Sequence, residues 1–143
     1  MKDAAWQYAH HSQLILDGTF RVCDKRILLF IMMGVDENRK GVLLAFLLFS
    51  APSGNRKTCA GYNMEIIAKL LNKWRDSLGR RNGKSFEAWV AITDTDLMEC
   101  GALILVFPRI WLLICRFHLR QSWWNHWNKV LKGKSPTHIL LKK

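Results

Sequence analysis

Acidic residues run out early in this chain: no Asp or Glu lies beyond Glu99. From Cys100 to Lys143 every charged side chain is a cation, among them Arg109, Arg116, Arg120, Lys129, Lys132, Lys134, Lys142 and Lys143. Any chemistry that needs a carboxylate must find it before residue 100. Other shortages also exclude functions. The four cysteines (Cys23, Cys59, Cys100 and Cys115) form no Cys-x-x-Cys pair and no disulfide-framework spacing. With no signal peptide ahead of them, they read as reduced thiols of an intracellular protein. No apolar run reaches the roughly 18 residues that a membrane span requires. The longest runs, 27–35 and 41–49, are separated by the charged turn 36–40, and 101–115 is broken by Pro108 and Arg109. The chain therefore reads as soluble. It has no internal repeat, low-complexity tract or dividing linker, and it lacks the context for Ser/His/Asp catalysis, a Gly-rich phosphate loop or a dinucleotide fingerprint.

What is present is a single domain of 143 residues, half of them apolar, enough for a real core. The formal charge of +11 points to a polyanionic partner, against the alternative of a solvated Lys/Arg surface. The best-placed phosphate contacts are Arg80, Arg81 and Lys84 in a basic loop, and Arg116, Arg120, Lys129 and Lys132 on the last helix. Contacts of that kind are sequence-independent and steeply salt-sensitive.

Residues 1–12 read as a short lead-in, 13–132 as the domain and 133–143 as a basic tail. Three strand-like runs come first, at 13–21, 27–36 and 41–50; the short polar connections 23–26 and 36–40 predict antiparallel pairing. The second and third runs are apolar on both faces, which predicts a sheet covered on both sides. The period then changes: Met64, Ile67, Ala68, Leu71 and Trp74 recur at helical spacing until Gly79. A strand at 88–93, a helix at 95–106, a strand at 110–115 and a helix at 117–132 follow. Leu119, Trp123, Trp127 and Val130 share one face of that helix and are expected to pack in the core, with Trp124 pointing elsewhere. The order β-β-β-α-β-α-β-α predicts an α/β fold: a mixed five-stranded sheet of ribonuclease H-like topology, flanked by helices. Right-handed crossover lets the fourth strand lie parallel beside the first.

That placement sets Asp17 and Asp94 on neighbouring strands. Asp17 sits inside an apolar strand, where a charge needs a partner. Asp94 closes the run 89–94, and two readings stay open for it. It is either the second ligand of a divalent metal or the N-cap of the following helix, with Asp96 favoured by the helix dipole. Cys115 and His118 together supply at most half of a tetrahedral zinc site, so zinc is not expected.

Read together, Leu16-Asp17-Gly18-Thr19-Phe20, Ile92-Thr93-Asp94, Val106-Phe107-Pro108 and Cys115-Arg116-Phe117-His118 resemble the catalytic core of the Mutator-like element (MULE) transposases. The motifs follow in that family's order over about 13–130. The resemblance implies a ribonuclease H-like DDE enzyme that cuts and joins DNA with two Mg²⁺ (or Mn²⁺) ions. Asp17 and Asp94 match its first and second acids and hence its metal ligands, Cys115 and His118 match its Cys-x-x-His, and His118 would lie near the scissile phosphate. It also implies DNA rather than a membrane as partner, a nuclear location, and either a homo-oligomer or further transposase segments as assembly partners. The third acid lies well downstream in that family, and Glu99, five residues past Asp94, does not match it. The expectation is a core incomplete at its C-terminus, without appreciable strand transfer by this polypeptide alone. The alternative is a catalytically inactive, domesticated or relic basic module that binds nucleic acid or protein.

Overall fold

The structure is a computed structural model and describes residues 1–19, 27–50 and 63–131. Strands β1 (Gln13–Thr19), β2 (Ile27–Val35) and β3 (Gly41–Ser50) form the antiparallel half of a sheet. Strands β6 (Val90–Thr93) and β7 (Trp111–Ile114) extend it in parallel, giving the order β3-β2-β1-β6-β7. The five strands, the meander and the fourth strand of the sheet lying parallel to the first are as the sequence predicts. The turn 36–40 closes the β2–β3 hairpin, with Asp36 Oδ1 accepting from the Lys40 N–H at 2.7 Å. The expected turn 23–26, the loop 51–57, the ends of the first strand and last helix, Lys132 and the basic tail lie outside the described residues.

Alternation along the strands sets two faces. Leu14 and Leu16 of β1, Leu28, Phe30 and Met32 of β2, and Ala91 and Thr93 of β6 all point to a packed side. In β3 the register slips between Met32 and Met33, so Leu44 is the extra residue of a bulge, and Leu44 and Ala45 are both buried in succession. Three helices cover this side. Helix α1 (Lys2–Tyr8) buries Ala5 against the sheet, so the lead-in carries structure that its sequence did not announce. Helix α2 (Met64–Leu78) is capped by Asn63, whose side chain accepts from the Ile66 N–H, and buries Ile67, Ala68, Leu71, Trp74 and Leu78. Helix α3 (Leu97–Val106) packs on α2. The basic loop is a small exposed hairpin, β4 (Arg80–Arg81) with β5 (Lys84–Ser85), turned by Asn82 and Gly83 at positive φ.

The opposite side corrects the expectation of a sheet covered on both faces. Leu43, Phe46 and Leu48 of β3 and Trp111 and Leu113 of β7 are exposed, and nothing among the described residues packs over them. Helix α4 (Arg116–Leu131) follows β7 and buries no residue. The predicted core stripe of Leu119, Trp123, Trp127 and Val130 is therefore overturned: Trp123 is 79% exposed and Trp127 61%. Helical spacing shows that apolar groups share a face, but not that a partner covers it.

Candidate functional site

The parallel pairing of β1 and β6 builds the site. Gln13, Leu14 and Ile15 pair with Val90, Ala91 and Ile92, and the pairing ends two residues before Asp17 on one strand and Asp94 on the other. Asp17 extends the row of Ile15 on the open face, the opposite side from Leu14, Leu16 and Gly18. It is still paired there, with Ile31 of β2 as its neighbour. Asp94 has left the strand. Its Oδ1 accepts from the Asp96 N–H at 2.7 Å, an Asx turn that leaves its second oxygen without a partner among the described residues.

This geometry removes the capping reading of Asp94. The N-cap of α3 is Asp96, whose Oδ1 accepts from the Met98 N–H at 2.7 Å. Asp94 stands two residues earlier, aimed by the turn and not consumed by capping. Capping is thus done by a neighbouring aspartate, and Asp94 remains available as a ligand.

His118 comes from the first turn of α4. The Cys115 N–H donates to the Thr93 carbonyl at 2.7 Å, which pins the start of α4 to the end of β6. One helical turn later, the His118 Nε2 lies 3.5 Å from Asp17 Oδ1, an ion pair whenever the imidazole is protonated. Its Nδ1 is buried with no hydrogen-bond partner among the described residues. Within the Cys-x-x-His spacing, the Cys115 backbone is thus an anchor and the His118 side chain lies beside Asp17. Cys115 itself is a half-buried free thiol.

Glu99 is the residue that sequence reasoning missed. It is fully buried on the packed side, and the Thr93 Oγ1 hydroxyl donates to its Oε2 at 2.8 Å. Its Oε1 has no hydrogen-bond partner among the described residues and lies so close to the β1 backbone that a Cβ on Gly18 would sit 2.5 Å from it. Burial pushes this carboxyl up to about 8, and the charges of Asp94, Asp96 and Asp17 push the same way, against the Thr93 bond that lowers it. Folding thus favours the protonated form of Glu99. The signal was in the sequence: Glu99, Ala102, Leu103 and Val106 follow the i, i+3, i+4, i+7 spacing of a buried stripe, with an acid in its first place.

The donor set fits a hard cation. The carboxylates of Asp17 and Asp94 carry oxygens of the kind Mg²⁺ and Mn²⁺ prefer, and Mg²⁺ is commonly held by one or two carboxylates with several of its waters retained. The set is open: among the described residues no group of three or more His, Cys, Asp and Glu side chains is gathered to enclose a metal ion.

The cationic residues divide between two places. Arg116, Arg120 and Lys129 project from α4, the helix that carries His118. Arg80, Arg81 and Lys84 belong to the exposed hairpin that precedes β6, at the other end of that strand from Asp94. Arg81 pairs there with Asp3 of α1 and lies over the Trp6 ring. The structure thus sets His118 against Asp17, places Asp94 just beyond the neighbouring strand, carries Arg116 and Arg120 on the helix that bears His118, and leaves the hairpin cations apart. No helix of the described residues is long and apolar enough to cross a membrane.

The family model for the MULE transposase domain matches residues 13–122, from the first residue of β1 into α4. No curated protein matches the chain.

Proposed function

The chain belongs to the MULE transposase domain family, a transposon-related group that acts on DNA, and from that premise we propose that Asp17 and Asp94 are its metal-holding carboxylates. The observation that supports this reading is the β1–β6 register, which lays the two strand ends leading to Asp17 and Asp94 side by side. A bound Mg²⁺ supplies Lewis-acid stabilisation of phosphate oxygens and a nucleophilic water. The chain's own residues do the rest. Asp17 and Asp94 hold the cation, His118 sits beside Asp17 where it can hydrogen-bond a phosphate or move a proton, and Arg116 and Arg120 attract the DNA backbone. The full DDE scheme needs a third carboxylate ligand, and none joins the pair among the described residues. This polypeptide alone is therefore proposed to bind DNA through the metal but not to complete strand transfer.

The test is DNA affinity in Mg²⁺ and in EDTA at matched ionic strength. Wild-type protein should bind duplex DNA more tightly in Mg²⁺, and Asp17→Asn or Asp94→Asn should abolish the increment. Removing one negative charge raises EDTA-state affinity by itself, so only the Mg²⁺-dependent difference counts. An increment that survives both substitutions rejects the metal site. The alternative, a basic module that binds nucleic acid without metal, predicts no increment in any variant. Mg²⁺-dependent DNA cleavage that Asp17→Ala removes would overturn the claim of incompleteness.

A further inference from the structure

Glu99 is an expensive residue for its place. A fully buried carboxyl, one of whose oxygens finds no partner among the described residues, carries a desolvation cost, whereas an apolar side chain would complete the stripe of Ala102, Leu103 and Val106 at no polar cost. Stability alone does not account for it, and its neighbours indicate what does. Its partner Thr93 immediately precedes Asp94, and the glycine it presses against, Gly18, immediately follows Asp17. One side chain thus touches both strand ends that carry the carboxylate pair, from the side of the sheet opposite Asp17.

We propose that Glu99 is the positioning residue of this site, a strut between Gly18 and Thr93 that fixes the spacing of Asp17 and Asp94. The inference rests on the reading of that pair as a metal site. Gly18 supplies the notch: with no Cβ it lets the Glu99 carboxyl lie against the β1 backbone, and any other residue would displace it. Thr93 supplies the anchor, since its hydroxyl fixes Glu99 Oε2 at 2.8 Å. The Thr93 carbonyl also receives the Cys115 N–H, so the same point ties in the helix that brings His118. Mg²⁺ tolerates little departure from its preferred geometry, so a strut that sets ligand spacing controls affinity without touching the ion.

The experiment measures Mn²⁺ affinity by electron paramagnetic resonance on folded wild-type, Asp17→Asn, Glu99→Gln, Glu99→Ala and Thr93→Val proteins. Glu99→Gln keeps the shape and a polar bond to Thr93 and should bind nearly as wild type. Glu99→Ala removes the strut and should weaken binding roughly tenfold or more, the scale on which supporting groups act on metal sites. Thr93→Val removes only the anchor and should weaken binding in the same direction, which keeps the test alive if Glu99→Ala does not fold. Affinity per folded molecule is a readout that a merely structural role would leave unchanged. Wild-type affinity in the folded Ala or Val variants overturns the inference. Failure of the underlying metal reading looks different: wild-type protein then shows no Mn²⁺ binding that Asp17→Asn removes, and the inference falls with it.

Discussion

At Glu99 the folded chain holds a proton that the unfolded chain gives up near the ordinary carboxylate value of 4.5, because folding raises the group to about 8. Between those values the folded state binds more protons, so stability is greatest below about 4.5, falls as pH rises, and has lost this contribution above about 8. The full span is on the order of 5 kcal/mol. The charges facing Glu99 are Asp17 from β1, Asp94 and Asp96 from the turn before α3, and the Cys100 thiol beside it, whose own ionisation is pushed up by burial. His10 works in the opposite direction: burial lowers it, so its protonation opposes folding only at the acid end. Urea unfolding at pH 5.5 and 8.5 should therefore show wild-type protein losing stability at the higher pH and Glu99→Gln losing much less. Equal losses in the two proteins would contradict the assignment. Gly18→Ala should destabilise by roughly 1–3 kcal/mol through overpacking. It should cost less in a Glu99→Ala background, where only the Phe30 ring still crowds the new methyl.

Elements with the same kind of sequence pattern can have different fates. Helices α2 and α4 both carry aromatic and aliphatic residues at helical spacing. Trp74 of α2 is buried and meets the Phe86 ring edge-on at 5.1 Å, whereas the tryptophans of α4 face outward. Thermal or urea unfolding should therefore separate them. Trp74→Ala should cost roughly 3–5 kcal/mol, while Trp123→Ala or Trp127→Ala should stay within about 0.5 kcal/mol. A large loss at Trp123 would mean that α4 is packed after all. The strands were legible because turn residues bracket alternating or continuous apolar runs, and β2, β3 and β7 fall within about a residue or two of expectation. Helix α1 was not legible, since a seven-residue segment with one buried alanine has almost no periodic signal. The exposed hairpin at 80–85 was read as a loop because two-residue strands have no pattern to show. Asp96, not Asp94, caps α3. Two candidate caps two residues apart cannot be told apart by residue type, because which one caps depends on where the strand ends.

Across the whole molecule, topology was the most legible property and coverage the least. The β-β-β-α-β-α-β-α order let the strands that carry the two aspartates lie side by side, and the observed strand order agrees. The apolar face of the sheet that no described residue covers was not readable, because an apolar residue looks the same in sequence whether covered or exposed. Charge acts at this scale too. Binding to duplex DNA should be insensitive to sequence and fall steeply with salt. Replacing Arg116 and Arg120 by alanine should lower the slope of log affinity against log salt by about 2, near 0.9 for each phosphate no longer neutralised. An unchanged slope would remove α4 from the DNA-binding surface. The central claim, that Asp17 and Asp94 form one cation site, is tested most directly by adding Mn²⁺ to isotope-labelled protein and recording its amide spectrum. The account predicts selective broadening of Asp17, Gly18, Asp94 and Thr95 that Asp17→Asn abolishes, with the hairpin amides at 80–85 unaffected. Broadening that is uniform, centred elsewhere or unchanged in Asp17→Asn would contradict it.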